Sequence, residues 1–194
     1  MVKIISKIET HELDIISLYL SDYKRKIHLR EIARLLKANH RTIALTLQKL
    51  EKKQLMISET VGKNKLYFLN INNISTREYI TCTESIQKMN IIEKHFILKK
   101  LLTVLSPFLE KQNIPFILFG SYAKGTEEKE SDIDVLLFKD RKEKEIITKI
   151  KEFARQYQKT IQIQEATREQ FEAGLREKDP LVMEIVQHHI LLNN

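Results

Sequence analysis

The stretch FGSYAKGTEEKESDIDVLLF, residues 119–138, decides the fold predicted for the second half of this chain. The apolar run that leads into it, residues 114–119, ends at Gly120 and predicts a short buried strand. Gly120 and Ser121 then open the first turn of a helix. Backbone N–H groups and a hydroxyl in such a turn can bind phosphate oxygens, so the pattern predicts an anion site here.

Two aspartates stand at the head of the second apolar run in the same stretch. Residues 132–138 predict another strand, and its period of two places Asp132 and Asp134 on one face. Paired carboxylates near a phosphate-binding turn can hold Mg²⁺ against a triphosphate. The two features together predict a site for a nucleotide and a magnesium ion.

The joint pattern resembles the nucleotidyltransferase superfamily, in its small minimal-nucleotidyltransferase branch. The family signature is Gly-Ser-x-Ala-(Arg/Lys)-Gly, a variable stretch, then Ser-Asp-(Ile/Leu)-Asp before an apolar strand, and here it reads GSYAKG, TEEKE and SDIDVLLF. The resemblance implies an α/β unit with a small mixed sheet. It implies a set of residues that bind ATP or another nucleoside triphosphate, namely Gly120, Ser121, Lys124 and Ser131. It also implies that Asp132 and Asp134 ligate Mg²⁺ and would be catalytic in an active enzyme.

Catalytic relatives need a third carboxylate on a later strand, where it completes a second metal site and helps to deprotonate the acceptor hydroxyl. The next predicted strand, residues 160–165, follows a charged amphipathic helix. The expected position on that strand is Gln162, and Gln164 shares its face, whereas Glu165 has the opposite parity. Because an amide is neutral and cannot act as a base, the pattern leaves nucleotide and Mg²⁺ binding in place and catalysis open.

The basic charge of the chain is confined to its first third. Residues 1–70 carry 14 Lys and Arg against 7 Asp and Glu, whereas residues 71–194 carry 19 against 19. The whole net charge of +7 therefore lies in the first 70 residues. This asymmetry predicts a polyanionic partner for that part of the chain alone.

Helical apolar patterns recur within the basic segment, the first over residues 10–20. Two further stripes, over residues 29–36 and 43–50, are separated by a short interruption in which Asn39 is a predicted N-cap. Two strand-like segments between residues 55 and 70 flank a basic turn. This order of elements resembles the winged-helix family of bacterial and archaeal transcription regulators. The resemblance implies double-stranded DNA as the partner.

The second helix of the predicted helix-turn-helix should turn one face outward once its apolar positions are buried. Arg and Thr near a helix N-terminus can reach base edges, and Lys can contact phosphate. The predicted DNA-binding residues are His40, Arg41, Thr42, Thr46 and Lys49 on this helix and Lys63 and Lys65 on the wing. Winged helices also bind proteins, so docking of an enzyme to RNA or protein stays an alternative.

Between these two parts, residues 75–105 contain neither Pro nor Gly and predict a long connecting helix that Pro107 ends or kinks. Its apolar positions form two adjacent stripes, one of Ile91, His95, Leu98, Leu102 and Leu105 and one of Ile97, Leu101, Val104 and Phe108. So wide a face is explained by a homodimer interface or by packing of both stripes inside one core.

These patterns predict an α+β protein in three segments: a winged helix with three helices and a β-hairpin wing over residues 1–72, a connecting and dimerisation helix over 73–112, and a small mixed-sheet nucleotidyltransferase-like domain over 113–194. The predicted function is DNA-binding transcription regulation, with the last domain binding NTP and Mg²⁺ or serving as a degenerate scaffold. The alternative is an active, antitoxin-like nucleotidyltransferase that transfers NMP from an NTP to a protein or small-molecule hydroxyl.

Other features bound the location of the protein. No apolar run reaches the roughly 18–20 residues that a membrane span needs, and the first residues lack the apolar core of a signal peptide. Cys82 is the single cysteine, so no intrachain disulfide can form. We therefore expect a cytoplasmic protein with no membrane partner.

Overall fold

The computed structural model describes four stretches of the chain, residues 10–62, 64–112, 114–138 and 143–193. The chain divides into two compact units, Met1–Ser85 and Ile86–Asn194. The predicted α+β class is confirmed, with a winged helix in the first unit and a small mixed sheet in the second. The boundaries of the three predicted segments stay a prediction.

From residue 10 onward, the described part of the first unit contains the helices α1 (Thr10–Ser17), α2 (Leu29–Leu35) and α3 (His40–Lys52). An antiparallel hairpin of β2 (Met56–Val61) and β3 (Asn64–Leu69) forms the wing. A two-residue strand, β1 (Ile27–His28), pairs with the other edge of β3. The sequence pattern missed β1, because two residues are too few to show a periodicity.

The second helix of the predicted helix-turn-helix buries the apolar residues that the pattern assigned to the core. Ile43, Leu47 and Leu50 of α3 are fully buried, and the Asn39 side chain caps α3 by accepting a hydrogen bond from the Arg41 backbone N–H at 2.8 Å. Capping satisfies a donor that the helix itself leaves unpaired. The predicted N-cap is therefore confirmed.

One buried carboxylate links elements of the first unit. Glu12 of α1 is 1% exposed, and both of its oxygens accept hydrogen bonds from Lys53 Nζ, at 2.6 and 2.8 Å. The Tyr79 hydroxyl donates to the same carboxylate at 3.4 Å. A buried charge without such partners would be strongly destabilising, so this cluster fixes α1 against the end of α3.

The predicted connecting helix is observed as α4 (Ile74–Lys94) and α5 (Phe96–Gln112). Backbone hydrogen bonds from His95 N to Ile91 O and from Lys99 N to His95 O, both 3.1 Å, carry the helical pattern across the junction. Pro107 lies inside α5 and does not end it. Burial of apolar residues on both sides of Pro107, Leu105 and Leu109, offsets the backbone hydrogen bond that proline cannot donate.

Most members of both apolar stripes of this segment lie within the core of the second unit. Ile91, Leu98, Leu101 and Leu105 are buried there, and the partly buried members of the stripes that pack against them are Ile97, Leu102 and Phe108. Val104 is 38% exposed. Of the two explanations left open by the sequence, internal packing is the one observed for these residues.

Among its described residues, the second unit continues with β4 (Phe116–Phe119), α6 (Gly120–Lys124), β5 (Ile133–Phe138), α7 (Glu143–Tyr157), β6 (Ile161–Ala166), α8 (Arg168–Glu177), α9 (Pro180–Gln187) and β7 (Ile190–Leu191). The strand order is β6-β5-β4-β7. β5 and β6 are parallel, whereas β4 pairs antiparallel with β5 and β7. The predicted mixed sheet is confirmed.

The two faces of this sheet have different neighbours. Val135 and Leu137 of β5 belong to the large core, together with buried residues of α5 and α7. Leu136, which alternates with them, packs with Phe119 and with Ile185 of α9. Because side chains alternate along a strand, Asp134 shares the face of Leu136, beside α9. No helix among the described residues is long and apolar enough to cross a membrane.

Candidate functional site

The two signature aspartates lie together at the start of β5. Asp134 pairs in register with Phe119 on β4 and with Gln162 on β6. Asp132 lies two residues earlier, and both residues are partly buried. Burial raises the pKa of Asp134, and the nearby carboxylate of Asp132 raises it further, because two negative charges at one site oppose each other. The structure therefore brings the predicted pair together on one face.

Gly120 brings the backbone of the predicted anion-binding turn against the Asp134 carboxylate. It opens α6 with a φ of +69°, a conformation that side chains disfavour. A Cβ added there would overlap Asp134 Oδ2 and would lie 3.0 Å from Asp134 Cγ. Ser121 follows as the second residue of this short helix. The turn and the aspartates therefore belong to one continuous site, and this close approach requires glycine.

The position of the missing carboxylate is occupied by an amide. Gln162 faces Asp134 across the parallel β5–β6 pair, and its Nε2 donates to Asp132 Oδ2 at 3.3 Å. Glu165 pairs with Leu137 and so has the opposite parity, as predicted. Among the residues that the structure describes, no three His, Cys, Asp or Glu side chains form a group that could hold a metal ion.

A further carboxylate, which the sequence pattern did not predict, approaches the site from α9. Lys124 Nζ at the end of α6 lies 2.7 Å from Glu184 Oε1. Burial and Asp132 have the largest effects on the pKa of Asp134 and raise it. Glu184 raises this pKa further, and Lys124 lowers it. No local pattern marks Glu184, since the pair spans 60 positions of the chain.

Ser131, predicted to bind nucleotide, holds the loop that connects α6 to β5. Its Oγ accepts a hydrogen bond from the Glu128 backbone N–H at 2.8 Å, and its own N–H donates to the Glu128 carbonyl at 3.0 Å. This reciprocal pair closes a tight turn just before Asp132. The contacts observed for Ser131 thus position the first aspartate.

His95 packs against the turn and does not join the aspartates. Its ring makes an edge contact with Tyr122, with ring centroids 4.9 Å apart, and its Nε2 lies 3.2 Å from Glu127 Oε1. Burial lowers the pKa of His95, while Glu127 acts in the opposite direction. Lys94 Nζ lies 2.6 Å from the same Glu127 oxygen, and this hydrogen bond lowers the pKa of Glu127. The cluster fixes the junction of α4 and α5 to the loop after α6.

On the winged helix, the N-terminal end of α3 is open to solvent. His40 and Arg41 are exposed, Thr42 is partly buried, and Lys49 is exposed further along the helix. Thr46 was wrongly predicted to face outward: it is 3% exposed, and its hydroxyl donates to the Thr42 carbonyl at 2.9 Å. That backbone hydrogen bond satisfies the hydroxyl and lets threonine lie on the buried face.

Lys65, one of the two wing lysines predicted to contact DNA, makes contacts within the first unit. Lys65 Nζ lies 2.9 Å from the Glu51 carboxylate of α3 and 5.0 Å from the centroid of the Tyr67 ring. Its charge is therefore partly balanced within the unit, and its hydrogen bond to Glu51 raises its pKa. Lys63, the other predicted wing contact, lies outside the described residues.

Comparison with known proteins finds similarity to a family model and to a solved structure. Residues 98–192 match the family model described as "Nucleotidyltransferase domain", which confirms that part of the predicted resemblance. No curated protein matches this chain. The solved structure of MepR, a transcription regulator of the Staphylococcus aureus multidrug efflux pump MepA, is 15% identical, with a TM-score of 0.38. The match covers 55% of this chain and 81% of that one.

Proposed function

We propose that this protein is a DNA-binding regulator whose second unit binds a nucleoside triphosphate with one divalent cation and does not transfer the nucleotidyl group. The observation that carries the proposal is Gln162. It stands opposite Asp134 and donates to Asp132, where a catalytic relative needs a third carboxylate. A neutral amide cannot take a proton from an acceptor hydroxyl and is a weak substitute for a carboxylate at a second metal.

The remaining residues suit one bound cation and a triphosphate. Asp132 and Asp134 offer hard oxygen ligands of the kind that Mg²⁺ prefers. Ser121 and Lys124 supply a hydroxyl and a positive charge beside them for phosphate oxygens. A bound Mg²⁺ would neutralise much of the triphosphate charge. Asp134, whose pKa is raised by burial and by its neighbours, is the carboxylate that gains most from such a cation.

Nucleotide binding and transfer are tested together. The wild-type protein is titrated with ATP and with GTP in the presence of Mg²⁺ by calorimetry, beside the double variant Asp132→Ala/Asp134→Ala. The same proteins are incubated with α-labelled NTP, Mg²⁺ or Mn²⁺, and cell extract. We expect binding that the double variant loses, and no transfer of label.

Label transfer by the wild type that the double variant abolishes would contradict this proposal and establish the alternative, an active nucleotidyltransferase. The variant Gln162→Asp sharpens the comparison, because it restores a carboxylate at the expected position. If the wild type binds no nucleotide, the second unit is better explained as a degenerate scaffold.

DNA binding is supported by the charge of the first unit and by the exposed N-terminal end of α3. The excess of seven positive charges lies within residues 1–70, and Arg41 stands exposed in the first turn of α3. Side chains in this turn can contact base edges, while charges along the unit contact phosphates. We include the predicted contacts of His40, Thr42, Lys49 and Lys65 in the proposal.

The DNA test measures anisotropy of labelled duplex DNA at several salt concentrations. We expect log K to fall with log salt by about 0.9 for each phosphate neutralised. Arg41→Ala/Lys49→Ala should weaken binding and flatten that slope by about one phosphate contact, that of Lys49, because Arg41 is proposed to contact base edges. The control, Lys151→Ala/Arg155→Ala, makes the same charge change at exposed positions of α7. It should leave both the DNA affinity and the salt slope unchanged. Equal effects of the two pairs would contradict a specific role for α3.

We also propose a homodimer, because a palindromic DNA site matches a two-fold protein. Support comes from two exposed apolar side chains, Met89 at 57% and Phe96 at 67% exposure, seven positions apart along the segment of α4 and α5. Sedimentation velocity should show a dimer that Phe96→Glu dissociates. Ile74→Glu, at an apolar position 74% exposed, is the control. A monomeric wild type would contradict the dimer.

A further inference from the structure

The contact between Lys124 and Glu184 places an acidic side chain inside the proposed nucleotide site. Lys124 Nζ and Glu184 Oε1 are 2.7 Å apart, and the two side chains are 34% and 39% exposed. Lys124 is the cation that the site offers to phosphate. In the observed structure, this cation is hydrogen-bonded to a carboxylate of the same chain.

Glu184 is held in place by the packing of α9. The neighbouring residue, Ile185, is 3% exposed and packs against Phe119 and Leu136. Phe119 directly precedes Gly120, and Leu136 lies on the same face of β5 as Asp134. The N-terminus of α9 is capped by Asp179, whose carboxylate accepts from the Val182 backbone N–H at 3.0 Å. The carboxylate of Glu184 therefore reaches the site from an anchored helix.

The charges around Lys124 favour the observed pair over a free ammonium group. Asp132, Asp134 and Glu184 bring three carboxylates to the surroundings of Lys124, and Glu184 is the one in contact with it. A triphosphate that enters would bring more negative charge to this group. It would also compete with Glu184 for Lys124, since both offer oxygen acceptors to the same donor.

We propose that Glu184 is a positioning residue that holds Lys124 and competes with the nucleotide phosphates for it. Release of Lys124 from Glu184 then accompanies nucleotide binding, and the acidic surroundings make that binding depend on a divalent cation. This inference rests on the proposed nucleotide site. It adds a residue, Glu184, that neither the signature nor the family match assigns to a role.

The test compares ATP affinity, measured by calorimetry with and without Mg²⁺, for the full-length wild type and Glu184→Gln. Exposed ion pairs contribute up to about 1 kcal/mol, so Glu184→Gln should tighten ATP binding about two- to fivefold and weaken its dependence on Mg²⁺. The matched control is Glu172→Gln, which makes the same charge change at an exposed position of α8. It should leave ATP binding unchanged.

A second variant separates competition from simple charge repulsion. Lys124→Met should weaken ATP binding, and the gain from Glu184→Gln should shrink in that background, because Glu184 then has no lysine to hold. Suppose that the wild type binds ATP through Asp132 and Asp134, but Glu184→Gln binds ATP equally well or more weakly. That result overturns the role of Glu184 and leaves the proposed function standing. A wild type that binds no ATP overturns both.

Discussion

Replacement of Gly120 by alanine should destabilise the second unit and disturb Asp134. Gly120 has a φ of +69°, and a non-glycine residue in the left-handed region costs about 1–2 kcal/mol. The added methyl group would also overlap the Asp134 carboxylate, and overpacking of this kind costs about 1–3 kcal/mol more. We therefore expect Gly120→Ala to lower the free energy of unfolding by about 2–5 kcal/mol.

Gly125 provides an internal control for the backbone contribution. It has nearly the same φ, +70°, but a Cβ added there would meet no atom within 4 Å. Gly125→Ala should thus cost only the backbone contribution of about 1–2 kcal/mol. The difference between the two substitutions isolates the contact with Asp134, because the conformational strain is common to both.

The assay is urea unfolding of the full chain, read by hydrogen exchange of the β4 and β5 amides so that the second unit is observed by itself. In an Asp134→Ala background the overlapping carboxylate is gone, and Gly120→Ala should then cost about as much as Gly125→Ala. The coupling between the two sites should be about 1–3 kcal/mol. Equal costs of the two glycine substitutions in the wild type, or no relief by Asp134→Ala, would refute the reasoning.

Three further predictions concern charges. Burial lowers the pKa of His95 in the folded protein, so the unfolded chain binds more protons at this residue near pH 6. The second unit should therefore lose stability as the pH falls from 7.5 to 5.5. His95→Leu should reduce this dependence of the melting temperature on pH. Because the pKa of Asp134 is raised by burial, Asp134→Asn should raise the melting temperature at pH 7. Lys53→Met leaves the buried Glu12 with fewer donors and should cost about 1–3 kcal/mol in urea unfolding, whereas Lys52→Met should cost little. The first prediction is contradicted if His95→Leu leaves the pH dependence unaltered, and the second if Asp134→Asn lowers the melting temperature. The third is contradicted if Lys53→Met and Lys52→Met reduce the free energy of unfolding equally.

Local periodicity explains what was predictable at the site. The apolar runs around Gly120 and the alternation along β5 depend only on neighbouring residues, so local sequence alone predicts Asp132 and Asp134 on one face. The resemblance to the nucleotidyltransferases implied Gln162 as the position of the third carboxylate, and the parallel register of β5 and β6 places it opposite Asp134. The amphipathic pattern of α3 likewise predicted its buried side, apart from Thr46.

The two exceptions have different causes, one local to the helix and one in the tertiary packing. Thr46 is buried because its hydroxyl finds a partner in the Thr42 carbonyl, an option that a polarity pattern cannot represent. Pro107 is tolerated inside α5 because Leu105 and Leu109 are both buried in the core of the second unit.

The amino-acid sequence by itself determined the order of the longer helices and strands, the charge asymmetry and the two aspartates of the site, since each follows from local spacing and composition. Only the tertiary structure decided which charges meet there. Glu184 reaches Lys124 across 60 positions because Ile185 seats α9 on the face of the sheet that carries Asp134. Such a contact arises from packing between distant segments, which leaves no periodic signal in either one.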